Sequence, residues 1–82
     1  MSDKKTAIVT GGSGVIGSSI VRTLIDEFER VYILDITKPP LENNKITFIQ
    51  TDLSVSEDIE AAIKKIDSRV DLLVLTAGVI RR

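Results

Sequence analysis

The chain has 82 residues, of which 43% are hydrophobic and 28% charged, a composition typical of one small globular domain rather than of a disordered segment. The net charge of −1, with basic residues scattered along the chain, argues against nucleic-acid binding, and the absence of cysteine and histidine argues against a metal site. No apolar run reaches the ~18 residues of a membrane span and the N-terminus lacks a signal-peptide pattern, so we expect a single cytoplasmic domain over residues 1–82 that does not bind membranes.

Three strands and one helix are predicted in the first 50 residues. Residues 5–10 form a short β-branched run that stops at a glycine cluster, as a buried strand does. Apolar residues then recur at helical spacing over 15–28, and residues 30–35 and 46–50 repeat the strand pattern. The segment 36–45 between these strands has two prolines and two asparagines, which indicates a loop.

A second helix and a fourth strand complete the pattern. Ser54 and Glu57 have the S-x-x-E spacing of a capping box, in which two side chains satisfy free amide groups at the start of a helix. The predicted helix covers 56–66, with acidic residues early and lysines late, an order that suits the helix dipole. Residues 70–77 are apolar almost throughout and predict a buried parallel strand.

Strands that alternate with helices predict an α/β fold with a parallel sheet and right-handed crossovers. We expect the strand order 3-2-1-4. The chain then reverses direction across the sheet after the third strand, which places the helices 15–28 and 56–66 on opposite faces. The reversal creates a switch point between strands one and four, and sheets of this kind bind ligands at such a point.

A glycine cluster, TGGSGVIG at residues 10–17, lies at this switch point. Gly11 or Gly12 permits a tight turn, Gly14 lets a pyrophosphate approach the main chain, and Gly17 lets the helix pack against the sheet. The amide groups at the start of the helix then face the phosphates. Such a motif is by itself also typical of a plain tight turn, but the strand before it and the helix after it favour a dinucleotide.

An acidic residue at the end of the second strand agrees with this interpretation. Asp35 lies 18 residues after Gly17, near the ~20 expected for a ribose-binding acid. A carboxylate can bond both ribose hydroxyls of NAD and repels the additional phosphate of NADP, so NAD is the predicted cofactor. The alternative is that Asp35 only forms the turn after its strand. Lys38 is interpreted as a solvated loop residue.

Two other glycine-loop classes fit the sequence less well. A P-loop of nucleotide triphosphatases has lysine where this chain has Ser18, and without that cation β/γ-phosphate chemistry is not expected. A methyltransferase loop usually follows a strand that ends in an acid, whereas this strand ends in Thr10. The dinucleotide interpretation is therefore preferred.

The chain resembles the N-terminal part of a short-chain dehydrogenase/reductase. The resemblance rests on Thr10 and Gly11 with Gly17, on TDL at 51–53 and on DLLVLTAG at 71–78, which match the family's glycine motif, adenine-contacting acid and N-A-G motif in order and spacing. It implies a partial Rossmann fold, a doubly wound parallel sheet that binds a dinucleotide. All 82 residues fit this part of the family pattern.

Two residues depart from that pattern. Val15 stands where many members carry glycine, which brings the loop closer to the G-x-x-G-x-x-G form, and Thr76 replaces the asparagine of N-A-G, which leaves the strand-locking hydrogen bonds of that asparagine in question. The resemblance also assigns residues to parts of the cofactor: Ser13 and Ile16 to the pyrophosphate, Asp52 and Leu53 to the adenine, and Ala77, Gly78 and Val79 to the ribose. For Asp52 the alternative is a helix-approach residue that bonds nearby backbone.

No catalytic residue is predicted in this sequence. The family donates a proton from a tyrosine that is followed four residues later by lysine, whereas the one tyrosine here, Tyr32, is followed by Ile36. Tyr32 also lies three residues before its strand ends, about 10 Å below the cofactor edge at ~3.3 Å per residue. The chain is therefore either the NAD(H)-binding portion of an oxidoreductase, incomplete on its own, or a stand-alone binding or assembly module without turnover.

The fourth strand leads to a prediction about assembly. In the order 3-2-1-4 it ends the sheet, yet Leu72, Leu73, Val74 and Leu75 carry none of the charges or prolines that usually protect an edge strand. We therefore expect a homodimer or higher homo-oligomer with residues 70–80 at the interface.

Overall fold

The fold is a four-stranded parallel sheet with strand order β3-β2-β1-β4, as predicted. A computed structural model describes residues 5–66 and 69–76 of the chain. Its elements, in chain order, are β1 (Thr6–Thr10), α1 (Val15–Leu24), β2 (Arg30–Asp35), β3 (Ile46–Gln50), α2 (Ser56–Lys65) and β4 (Leu72–Leu75). Within these described ranges, neither ten-residue helix is long and apolar enough to cross a membrane.

The two helices cover opposite faces of the sheet, which confirms the predicted layering. Alternate residues of a strand point to opposite faces, so β1 and β2 contribute side chains to both sides. One core joins α1 to the first face, and a second core joins α2 to the other. The first contains Ala7, Val9, Val21, Leu24, Val31 and Ile33, and the second contains Ile8, Leu34, Ala62 and Ile66.

Helix α1 ends at Leu24, four residues before the predicted end at Phe28. The chain leaves the helix through turns in which the amides of Glu27 and Phe28 donate to the carbonyl of Leu24. Phe28 still packs against the first core, so its helical spacing in the sequence reflects burial rather than helix. The chain must turn here because the amides of Glu29 and Arg30 donate to the carbonyl of Lys5 and start β2 beside β1.

The predicted capping box does not form. Helix α2 begins at Ser56, its N-cap is Val55, and none of the described side chains forms a capping hydrogen bond there. The Ser54 hydroxyl and amide both donate to Asp52 Oδ1, at 2.6 and 3.0 Å, so Ser54 belongs to the turn that precedes the cap position. The charge order along α2 is as predicted, with Glu57 and Asp58 in the first turn and lysines in the last.

Strand β4 is shorter and more exposed than its sequence predicted. It spans four residues rather than 70–77, and Ala77 lies outside the described residues. Val74 packs against the first core, whereas Leu73 is 53% exposed and Leu75 is 73% exposed on the face of α2. The predicted open edge is present in the described part of the sheet.

Candidate functional site

The glycine loop between β1 and α1 lies across the carboxyl ends of β1 and β2. Gly11 has a φ of 73°, a backbone conformation that residues with a side chain rarely adopt. Gly11 is therefore the glycine that makes the turn. Its amide donates to the carbonyl of Leu34 at 2.8 Å, and its carbonyl accepts from the amide of Gly14 at 3.2 Å. These bonds place the loop beside the end of β2.

The glycines differ in what a side chain would meet. A Cβ on Gly17 would lie 2.2 Å from the carbonyl oxygen of Gly11, and one on Gly12 would lie 2.9 Å from the Ile33 side chain. Among the described residues, a Cβ on Gly14 would have only the Gly11 oxygen within contact distance, at 3.6 Å. Packing among the described residues therefore accounts for Gly12 and Gly17 but not for Gly14, and the role of Gly14 in leaving space for a ligand stays a prediction.

The N-terminus of α1 opens onto the same place. Gly14 is the N-cap in an extended conformation, and in this fully described helix no side chain bonds the cap and no acidic residue occupies the first turn. The first amide groups of a helix have no partner within it, and the helix dipole adds partial positive charge there. This end of α1 is therefore suited to an anion such as a phosphate.

A cleft of about 360 Å³ brings most of the predicted site residues together. It is lined by Gly11, Gly14, Val15, Ile16, Gly17, Asp35, Leu53 and Thr76. Val15 and Ile16 are 85% and 71% exposed, so two apolar side chains stand at the cleft beside the start of α1. Ser13 and Asp52 adjoin the cleft without lining it, and the predicted ribose segment, Ala77, Gly78 and Val79, lies outside the described residues.

Asp35 is held by backbone amides on two sides. Its Oδ1 accepts from the amide of Ile36 at 2.7 Å and from that of Thr37 at 3.4 Å, as expected of a turn-forming aspartate. Its Oδ2 accepts from the amide of Ser13 in the glycine loop at 3.1 Å. Asp35 thus forms the turn after β2 and also lines the cleft, so the two roles considered for it are compatible.

Asp52 bonds its own neighbourhood, as the alternative interpretation of this residue predicted. Its Oδ1 accepts from the hydroxyl and from the amide of Ser54, at 2.6 and 3.0 Å. These hydrogen bonds, the hydroxyl first, hold the pKa of Asp52 below its usual value. Leu53, rather than Asp52, lines the cleft.

Thr76 provides a strand-locking contact in place of the family's asparagine. Its hydroxyl donates to the carbonyl of Thr10 at 2.5 Å, and its amide donates to the same carbonyl at 3.1 Å. The Thr10 hydroxyl donates in turn to the carbonyl of Val74 at 3.4 Å. The ends of β1 and β4 are therefore joined by side chains under the cleft. The sequence signal for this contact was a threonine at the end of each of two neighbouring strands.

Tyr32 lies in the core, as predicted. It is half-buried and packs on the face of α2, where Ile49 is also found, and it does not line the cleft. Among the residues that the structure describes, no group of three acidic side chains is placed to hold a metal ion.

The comparison with protein families identifies this arrangement. Residues 5–82 match the family model described as short chain dehydrogenase. The chain belongs to the short-chain dehydrogenase/reductase family. Among its relatives, the sex determination protein tasselseed-2 of Zea mays is 34% identical over 98% of this chain and 27% of its own length. The acetoacetyl-CoA reductase of an Acinetobacter strain is 32% identical over 99% of this chain and 38% of its own length.

Solved structures of the family agree with the fold. A short-chain dehydrogenase from Leptospira borgpetersenii with bound NAD+ is 29% identical, with a TM-score of 0.80 over 94% of this chain and 32% of that chain. A short-chain dehydrogenase family protein from Francisella tularensis is 28% identical, with a TM-score of 0.84 over 96% of this chain and 33% of that chain. The chain thus spans about a third of the length of these relatives and corresponds to the nucleotide-binding portion of the family fold, as the sequence predicted.

Proposed function

We propose that this chain binds NAD(H) as the cofactor-binding portion of a short-chain dehydrogenase/reductase and that it prefers NAD to NADP. The observation that carries the proposal is the placement of the Asp35 carboxylate in the same cleft as the glycine loop and the N-terminus of α1. The NAD+ bound to the Leptospira relative, which has a similar fold over most of this chain, supports it.

The cofactor would lie along the cleft in three parts. The pyrophosphate would bind at the start of α1 beside Gly14 and Ile16, where the first amide groups of the helix have no partner within it and no Cβ intervenes at Gly14. The adenosine ribose would reach Asp35 and the adenine would approach Leu53. Ala77, Gly78 and Val79 remain predicted contacts of the second ribose.

Asp35 is the proposed basis of selectivity. A phosphate on the ribose 2′ position would bring a dianion close to this carboxylate, and like charges repel at such distances. Lys38 is exposed three residues later, and it forms no hydrogen bond or ion pair with the residues that the structure describes. The net effect is a preference for the cofactor without the additional phosphate.

Titration calorimetry of the 82-residue chain with NAD, NADP and ADP-ribose tests this proposal. We expect NAD to bind more tightly than NADP, and ADP-ribose about as tightly as NAD, because the proposed contacts involve the adenosine and pyrophosphate half. Asp35→Asn should reduce the difference in affinity between NAD and NADP. Asp26 is an exposed carboxylate beyond the far end of α1, and Asp26→Asn should leave this difference unchanged. A clear preference of the unaltered chain for NADP would contradict the assignment of Asp35.

We propose further that these 82 residues alone do not transfer hydride. A proton donor must lie beside the substrate oxygen, and Tyr32 is packed in the core with Ile36 where the family has lysine. A spectrophotometric assay with a panel of alcohols should show no reduced cofactor. Turnover that persists in repeatedly purified protein, and that tracks the chain through chromatography, would overturn the structural interpretation of Tyr32.

The alternative is a stand-alone Rossmann half that binds or assembles without turnover. Both hypotheses require the same glycine loop, so cofactor binding does not separate them. The coding sequence beyond Arg82 does: a continuation that contains Tyr-x-x-x-Lys supports the oxidoreductase, and a stop codon there supports the module.

We also propose that the chain forms a homo-oligomer through residues 70–80. The support is the exposure of Leu73 and Leu75, which are apolar, adjacent on one face of β4 and uncovered by other described residues. Contact with a second copy would remove this surface from water.

A further inference from the structure

The glycine loop is tied to the end of β2 by three hydrogen bonds that cross long distances in sequence. The amide of Gly11 donates to the carbonyl of Leu34, the amide of Ser13 donates to Asp35 Oδ2 at 3.1 Å, and the Ser13 hydroxyl donates to the carbonyl of Thr37 at 2.5 Å. The two bonds of Ser13 join residues that are separated in sequence by 22 and 24 positions, respectively. We name the set of Ser13, Asp35 and Thr37 the loop clamp.

Both polar groups of Ser13 face the end of β2 in this arrangement. Its amide donates a hydrogen bond to the Asp35 carboxylate and its hydroxyl donates one to the carbonyl of Thr37. The single O–H proton of Ser13 is therefore not directed to the cleft. The family resemblance placed Ser13 along the pyrophosphate, where a donor to phosphate would be expected. The observed bonds indicate a different role, in which Ser13 holds the loop.

Asp35 is the centre of the clamp. Its carboxylate accepts hydrogen bonds from amides of the turn after β2 and from the Ser13 amide of the glycine loop. One carboxylate therefore fixes the loop and the turn relative to each other. The loop must present its amide groups in one orientation to bind a pyrophosphate, and a loop already held in that orientation loses less conformational freedom on binding. The carboxylate therefore acts on the phosphate end of the site through the backbone.

From this geometry we infer that Asp35 and Ser13 are positioning residues for the phosphate-binding loop, independently of any contact between Asp35 and ribose. The inference rests on the proposed nucleotide function and deepens it. Electrostatics alone predicts the opposite sign, because removal of a negative charge near an anionic ligand strengthens binding. The direction of the effect therefore distinguishes positioning from simple charge.

The test uses a ligand that has no ribose hydroxyls to contact. The affinities of ADP and 2′,3′-dideoxy-ADP for the 82-residue chain are measured by NMR titration, which suits weak binding. If Asp35 acted only through the ribose hydroxyls, Asp35→Asn would weaken the binding of ADP. The binding of dideoxy-ADP would then be unchanged or become tighter. Because asparagine replaces one acceptor oxygen with a donor, the clamp loses an amide bond, and we expect the dideoxy ligand to bind about two- to tenfold more weakly.

Ser13→Ala should weaken the dideoxy ligand by a similar factor, since it removes the bond to Thr37. The conservative variant Ser13→Thr keeps a hydroxyl and should restore most of the affinity. Ser19→Ala is the matched control, because the Ser19 hydroxyl bonds only the carbonyl of Val15 within α1. It should change affinity less than twofold. Circular dichroism and thermal unfolding of each variant show that the fold is retained.

Hydrogen exchange of the Ser13 amide provides a readout without ligand. This amide should be protected in the unaltered chain and exchange faster in Asp35→Ala, which removes both acceptor oxygens, while the amides of β1 keep their protection. Equal exchange in both proteins would overturn the clamp. Dideoxy-ADP that binds Asp35→Asn and Ser13→Ala as tightly as the unaltered chain would overturn its role in binding. An unaltered chain that binds neither nucleotide would overturn the proposed function instead, and with it the role of the clamp in binding.

Discussion

Strands β1 and β4 are neighbours in the sheet and are both short and mainly apolar, yet they differ in burial. All five residues of β1 are buried. In β4, Val74 is half-buried and the other three residues are exposed. Strand β1 has a strand on each side and a helix over each face, while β4 has a single described neighbour. An apolar run therefore predicts a strand, whereas the elements packed beside that strand determine how much of it is buried.

The register makes this comparison quantitative. Ile8 of β1 and Leu73 of β4 are paired and lie on the same face of the sheet, but they are 3% and 53% exposed. Helix α2 covers the first and not the second, since Ala62 of this helix and Ile66, its C-cap residue, pack with Ile8. The two side chains therefore form a matched pair for experiment.

The largest effect is expected from truncation of that pair. Ile8→Ala should lower the free energy of unfolding by about 2–5 kcal/mol, because it removes buried methyl groups and leaves a cavity. At protein concentrations too low for assembly, Leu73→Ala should lower it by less than about 1 kcal/mol, because in the single chain half of the side chain is already in water. Urea unfolding followed by circular dichroism measures both values. Equal losses would mean that β4 is as well covered as β1 in solution.

The second prediction extends the comparison to the glycine loop that follows β1. Gly17→Ala should lower stability and binding together, because its Cβ would lie 2.2 Å from a backbone oxygen. Gly14→Val should retain the fold but abolish NAD binding, because its side chain would occupy the cleft and not the protein interior. Calorimetry and thermal unfolding separate the two outcomes. A Gly14→Val protein that folds and still binds NAD would contradict the site.

A third prediction concerns the open edge itself. If a second copy covers β4, Leu73→Lys should dissociate the oligomer, because a charged side chain would be placed in an apolar contact. Light scattering over a range of concentrations measures the mass. Lys45→Ala, at the start of β3 on the opposite edge, is the control and should leave the mass unchanged. A stable monomer at high micromolar concentration of the unaltered chain would refute the assembly.

The smallest effect is expected at the point where β4 joins β1. Asp71 Oδ2 accepts the amide of Thr6 at 2.9 Å, and its Oδ1 accepts from Arg69 at 2.8 Å. The Thr6 amide first, and then Arg69, lower the pKa of Asp71 from its usual value of 3.8. A lowered pKa contributes stability that is complete above about pH 4–5 and is lost as the pH falls through the folded-state pKa.

Asp71→Asn should therefore reduce the acid dependence of unfolding below pH 4 and cause a slight loss of stability at pH 7. Urea unfolding between pH 2.5 and 7 measures this slope. The exposed Asp26→Asn, which lies outside the β1–β4 contact, provides the comparison. An unchanged slope in Asp71→Asn would show that the Thr6 contact does not persist in solution.

Much of the fold could be predicted because it depends on local pattern and on general rules of topology. The bounds of β2 and β3 agree with the strand pattern, and the handedness of crossovers predicts the strand order and the opposite helix faces. The glycine loop and Asp35 were predicted as site residues from their spacing and from the strand and helix beside them, and the structure places them in one cleft.

The features that escaped prediction depend on hydrogen-bond partners that the local patterns do not specify, and two of the three partners are distant in sequence. Phe28 continues the helical spacing but belongs to a turn, because the Lys5 carbonyl draws the next residues into β2. Ser54 matches a capping motif but bonds Asp52, and Thr76 replaces an asparagine but bonds Thr10, 66 positions earlier. In each case a tertiary or competing acceptor decides between conformations that the local sequence allows.

The position of β4 has a consequence for how the chain folds. Its contacts with β1 join residues such as Thr6 and Asp71, which are 65 positions apart in sequence. The paired residues of β1 and β2, and those of β2 and β3, are much closer in sequence. Closure of a longer loop costs more conformational entropy, and distant pairings slow folding. We therefore expect β1, β2 and β3 to associate first and β4 to dock last. Because Thr76 and the β1–β4 switch point belong to the cleft, the ligand site would be completed only in this final step.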